Sequence, residues 1–247
     1  MKPYELAEQS YDLLKNVLFE VYEKRAPDGL PDDYSNLRHA FIYRHGRNVQ
    51  GIARDVFFLY SHERYSAAQI AVRSMIESMF CVVASQKVPS FPEEKAIAEC
   101  VKMIEKVEKL AKTTGEDLSD CVKDYTDLAT KIRNQFNVTT NRQWNVFDTA
   151  QAGKLQGHYN GQYFLHCGYV HATLTGIISQ ENNVTLGVSY QSAIAAVIIT
   201  AGHLAMCLPT DDPQAHVDES ARLLGELTKL LQQGVFRVSF QVGEAET

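Results

Sequence analysis

In a stretch where nearly every position is apolar or small, Gln69, Arg73 and Glu77 recur at four-residue spacing: Ser66-Ala-Ala-Gln-Ile-Ala-Val-Arg-Ser-Met-Ile-Glu-Ser-Met-Phe-Cys-Val-Val-Ala-Ser-Gln86. Residues four apart lie above one another on a helix, so the three form one polar stripe. A helix that is apolar on its other faces is a buried helix, and a buried guanidinium requires a partner. Arg73 and Glu77 can partner each other. Two chemistries then fit. One is a buried ion pair that fixes packing; the other is a polar pocket inside a helical bundle, with the guanidinium stabilising an anion. A second set lies in Gln162-Tyr-Phe-Leu-His-Cys-Gly-Tyr-Val-His171, where Tyr163, Cys167 and His171 share a face and His166 lies to another side. The His171 imidazole titrates near neutrality, which suits general acid–base work. The alternative is a buried histidine satisfied by a tyrosine hydroxyl or a carboxylate. Cys167 beside His171 admits a thiol–imidazole pair as well as a small buried hydrophobe.

The elements that must position these residues are helices. Leu6, Leu13, Leu14, Val17, Leu18 and Val21 recur on a pattern running from Pro3 to about Arg25, and Ala-Pro-Asp-Gly-Leu-Pro-Asp-Asp33 breaks it. A second helix is predicted from about Asp33 to His62. The third opens at Ser66 as its cap and stops at Lys87-Val-Pro-Ser-Phe-Pro92. Ser90 with Glu93 reads as a capping box for the next helix, a strongly charged one from Pro92 to Thr113 that suits a solvated outer position. Another helix is expected from Ser119 to Phe136. The stretch from Asn137 to Gly161 is the least regular, holds the single tryptophan, Trp144, and leaves room for one short helix near Val146 to Leu155. Further helices are predicted from Gly161 to Ser179, from Ser189 to Leu208 and from Asp211 to Gly234. The tail then alternates, with Phe236, Val238, Phe240 and Val242 against Arg237, Ser239 and Gln241, which is a strand pattern.

The composition narrows the class. At 247 residues and 45% hydrophobic the chain can bury a full core, while seven prolines and fourteen glycines are few for a sandwich or barrel. A net charge of −6 offers no global footprint for nucleic acid. Cys81, Cys100, Cys121, Cys167 and Cys207 show no paired motif, which fits reduced thiols in a cytoplasmic protein. The N-terminus lacks the apolar run of a signal peptide, and the apolar run from Ala193 to Leu208 is too short for a membrane span. The Glu-x-x-His pattern of helical di-iron sites is missing, as are the glycine-rich nucleotide motifs and the nucleophile elbow. Neither a metal nor a cofactor is expected.

The segment Tyr65 to Glu77, followed much later by Tyr163 to His171, resembles the bacterial domain-of-unknown-function family 5677. That family pairs an A-x-x-L-x-R-S-x-x-E helix with a Y-x-x-x-S-x-x-x-H helix. Arg73, Glu77, Tyr163 and His171 match the pattern over roughly residues 35 to 200, while Cys167 stands where the family usually has serine. The resemblance implies an all-helical bundle with arginine, glutamate and histidine meeting in its interior, and it brings no established activity. Such chains are also similar to helical domains of prokaryotic toxins and phage defence, some of them metal-independent ribonucleases with an arginine four to six residues before a histidine. Arg38-His-Ala-Phe-Ile-Tyr-Arg-His45 fits the loosest form of that spacing. About one such match is expected by chance.

The expected architecture is thus all-α, a single bundle of seven or eight helices over residues 1–234 with an extended tail over 235–247. Arg73, Glu77, Tyr163 and His171 are the candidate site. A non-enzymatic sensor or adaptor is one expected function. The other is a metal-independent hydrolase or ribonuclease of a prokaryotic defence system, with His171 as acid–base, Arg73 as anion stabiliser and RNA as partner. An unpaired apolar strand invites edge pairing, so the tail is expected to join two copies in a homodimer.

Overall fold

The computed structural model describes residues 1–23, 37–140, 142–170 and 183–235. Its described residues form nine helices and no strand. Helix α1 (Pro3–Leu18) runs on through a π-turn at Phe19–Glu23, and α2 spans Leu37–Ser61. Next come α3 (Tyr65–Lys87), α4 (Phe91–Thr114), α5 (Ser119–Phe136) and the short α6 (Val146–Ala152). Helix α7 is continuous through Gln156–His158, a π-turn at Tyr159–Tyr163, and Phe164–Val170. Helices α8 (Asn183–Cys207) and α9 (Pro213–Gln232) complete the bundle.

The all-α class agrees with the apolar periodicities, but the described residues already form nine helices rather than seven or eight. The extra one comes from the irregular stretch. Asn145 caps α6 by accepting from the Asp148 amide at 2.8 Å, and the chain breaks at Lys154, whose φ of 58° is left-handed, before α7 begins at Gln156. Two predicted caps are absent. Helix α3 begins at Tyr65, with Arg64 preceding it, so Ser66 lies inside. Ser90 is itself near-helical (φ −85°, ψ −3°), so its hydroxyl caps nothing, and Glu93 is buried instead of closing a capping box. Gly115 ends α4 at φ 73°, and Asn137 ends α5 at φ 52°, the left-handed C-terminal residue that both sequences signal.

Helix α3 is the hub. It packs against α2, α8, α6 and α7, while α1 and α9 close over α8. Leu6, Leu14 and Val17 of α1 meet Ile42, Val49 and Val56 of α2, Val72, Ile76 and Met79 of α3, and Ile194, Ile198 and Leu204 of α8 in one buried cluster. Burying each such side chain contributes about 1.5–3 kcal/mol. Helices α2 and α8 approach closely at Gly46, where a Cβ would come within 2.7 Å of the Leu204 side chain. Helices α4 and α5 pair mainly with each other, so the charged α4 is partly the outer helix its sequence suggests. Its first turns are not, because Phe91, Ile97 and Ala98 are buried. Trp144 also proves to be core: its ring packs edge-on against Phe91 and its Nε1 donates to Glu94 at 2.9 Å.

Two helical segments, Tyr65–Lys87 and Leu186–Cys207, are long and apolar enough to cross a membrane, yet 67% and 72% of their apolar windows are buried inside the bundle. All five cysteines are free. The alternating tail from residue 236 onward lies outside the described residues.

Candidate functional site

The polar stripe of α3 meets α7 at one tyrosine. Helical spacing puts Gln69, Arg73 and Glu77 on one face of α3, and the π-turn of α7 ends at Tyr163. Extra-wide turns of this kind recur at functional sites. The Tyr163 hydroxyl accepts from Arg73 Nε at 3.2 Å and Nη2 at 3.0 Å, and it donates to Glu77 Oε1 at 2.8 Å. Arg73 Nη2 also reaches Glu77 Oε1 at 3.1 Å, closing a three-membered ring of interactions. The guanidinium carbon lies 5.4 Å from the centroid of the Tyr163 ring, and Tyr159 stacks on that ring at 5.1 Å.

This is not the fully buried ion pair that an apolar helix suggests. The Arg73 and Glu77 side chains are 24% and 37% exposed, so the pair sits at the bundle's edge with Tyr163 buried beneath it. Burial works against the Arg73 charge, but the Tyr163 hydroxyl and the Glu77 carboxylate more than offset it and hold the guanidinium's pKa above its usual value. Burial also pushes the Tyr163 hydroxyl well up; Arg73 opposes that shift and Glu77 reinforces it. Tyr163 therefore stays protonated and remains a donor to Glu77. Cys167, one turn along α7, is half-buried and lies close to both Arg73 and Tyr163.

Gln69 continues the stripe inward. It is fully buried, and neither its amide nitrogen nor its amide oxygen has a hydrogen-bond partner. His171, the fourth expected member, lies outside the described residues. Of the four candidates, the structure brings Arg73, Glu77 and Tyr163 into direct contact.

His166, which the helical spacing places to another side, is a deeply held histidine. It is fully buried. Its Nδ1 bonds the Gln162 carbonyl and its Nε2 lies 3.0 Å from the Ser189 hydroxyl of α8. A carbonyl only accepts, so Nδ1 carries the proton and Nε2 accepts from Ser189. Burial lowers its pKa to about 4, so it stays neutral near pH 7. Its spacing of four from Gln162 is the sequence signal for the local bond; nothing comparable marks Ser189.

The Arg38–His45 spacing forms no paired site. Arg38 Nη2 donates to the Ser85 carbonyl at 2.8 Å. His45 packs against the Phe41 ring at 4.4 Å, and burial, helped by the charge of Lys95, lowers its pKa to about 4. No group of three or more metal-ligating side chains occurs among the described residues.

The family model described as "Family of unknown function (DUF5677)" matches residues 39–184, more than half of the chain, and the chain belongs to that family. The matched span runs from α2 to the start of α8 and so contains Arg73, Glu77 and Tyr163. No curated protein and no solved structure matches the chain.

Proposed function

We propose that this member of the DUF5677 family is a non-enzymatic helical module, a sensor or adaptor, in which the Arg73–Glu77–Tyr163 cluster fastens α7 to α3. The observation that carries this reading is the double use of the Tyr163 hydroxyl, which accepts from Arg73 and donates to Glu77. The three groups bond one another, whereas a catalytic group is held ready for something outside itself. The nearby His166 is committed to Gln162 and Ser189 and kept neutral, which does not suit proton transfer near pH 7. A fastener at the bundle's edge suits a module that passes on a signal, because a competitor in solvent can reach the partly exposed Arg73–Glu77 pair that holds α7 to α3.

The test pairs stability with activity. Arg73→Ala removes one partner and leaves Glu77 and Tyr163 with unmet bonds, at a cost of about 1–3 kcal/mol. For a chain of this size that lowers the melting temperature by roughly 2–4 °C per kcal/mol. The intact protein is expected to leave pooled RNA uncut. An Arg73→Ala variant that melts like the wild type but loses an RNA-cleaving activity present in the wild type would overturn the reading and install the ribonuclease alternative with Arg73 as anion stabiliser.

A further inference from the structure

Away from the Arg73 cluster, a groove of about 350 Å³ lies between α1 and α2, lined by Glu8, Tyr11 and Asp12 on one wall and Arg54 and Phe57 on the other. That volume falls in the range of small-molecule sites, about 300–1,000 Å³. Its aromatic wall is braced from below. The Phe57 ring packs edge-on against Tyr190 at 5.6 Å, and Tyr190 packs edge-on against Tyr60 at 4.8 Å. Glu8 and Asp12 are exposed, four residues apart on one face of α1, where two like charges repel. Among the described residues neither carboxylate makes a hydrogen bond or ion pair, although Arg54 lines the same groove. Arg54, the cation of the opposite wall, is engaged with its neighbour Asp55 at 3.3 Å.

We propose that this groove binds an alkylguanidinium cation, its flat head against the Tyr11 and Phe57 rings and its N–H groups directed to Glu8 and Asp12. The lining chooses the ligand class. Two carboxylates beside aromatic faces favour a weakly hydrated planar cation, which stacks on rings and pairs with carboxylates through a fixed fork of donors. A hard metal ion seeks a shell of oxygens, and two of the five lining side chains are rings while a third is the Arg54 cation. An anion would face Glu8 and Asp12. The same guanidinium head occurs on free small molecules and on arginine side chains of peptides.

Calorimetric titration of the full chain at low salt tests the site, with butylguanidinium as the probe and butylurea as its neutral isostere. Butylguanidinium is expected to bind at least roughly tenfold more tightly than butylurea, and more weakly as salt is raised. The Glu8→Gln/Asp12→Asn double variant, isosteric at two exposed positions, is expected to weaken butylguanidinium binding by about tenfold or more, and Phe57→Leu by severalfold. An unchanged melting curve confirms that the double variant is folded. N-acetyl-arginine-amide binding as tightly as butylguanidinium assigns the head to a peptide side chain, and much weaker binding assigns it to a free small molecule. No binding of butylguanidinium, equal binding of butylurea, or unchanged binding by the double variant overturns the proposal.

Discussion

Tyr163 and His166 stand three residues apart on α7 and fasten it to two different helices by opposite means. Tyr163 is held to α3 by charge, through the Arg73 guanidinium and the Glu77 carboxylate at the half-exposed edge of the bundle. His166 is held to α8 without charge, in full burial, by one bond to a carbonyl and one from a hydroxyl. The difference follows from solvation. Sealing an ion pair in the interior costs several kcal/mol per ion before its attraction counts, whereas a neutral imidazole with both nitrogens bonded can be buried at little cost. The two anchors are therefore sensitive to different things: the neutral one to protons, the charged one to anything that competes for Arg73 or Glu77.

Acid breaks the comparison most severely. An unfolded histidine takes up its proton near pH 6.5, whereas burial holds His166, His45 and, on α8 near the Lys87 charge, His203 unprotonated in the fold down to about pH 4. Between those values the unfolded chain binds more protons, so stability is full above about pH 6.5 and falls as the pH drops toward 4. Each histidine accounts for about 2 kcal/mol between pH 7 and pH 5, so the three together remove on the order of 5 kcal/mol. Urea unfolding followed by circular dichroism at the two pH values measures this loss. The His166→Gln variant is expected to show a pH dependence roughly one-third shallower; a slope equal to the wild type's would remove His166 from the account.

Ser189→Ala attacks the same anchor at neutral pH. It leaves His166 Nε2 buried without its donor, at an expected cost of about 1–3 kcal/mol by urea unfolding at pH 7. The smallest effect is expected at Cys167. Its half-buried thiol makes no bond in the charged anchor, so Cys167→Ser should change stability by less than about 0.5 kcal/mol. A larger loss would show that the thiol takes part in holding Arg73 and Tyr163.

Much of this arrangement was legible because helices write their periodicity plainly. The four-residue spacing on α3 put Arg73 and Glu77 on one stripe, and α5 begins and ends where its sequence indicates, with Asn137 supplying the left-handed stop. Tyr163 was placed on the right helix as well. The degree of burial was not legible, since an apolar helix gives no sign that one short stretch lies at the bundle's edge. His166 was passed over for a similar reason: its partner Ser189 lies 23 residues away on another helix and carries no pattern of its own. Ser90 and Glu93 have the spacing of a capping box, but that motif requires a non-helical backbone at its first residue, and Ser90 is near-helical. Spacing alone could not reveal the π-turn before Tyr163, which changes the phase of α7 at the residue that matters most.

The central claim is that Arg73 and Tyr163 act as one fastener, and a double-mutant cycle tests it most directly. Arg73→Ala, Tyr163→Phe and the double variant are compared with the wild type by urea unfolding at pH 7. The account predicts single losses of about 1–3 kcal/mol and a coupling of about 1–2 kcal/mol, because each variant already removes the other's bond. Losses that simply add, to within about 0.5 kcal/mol, would contradict it.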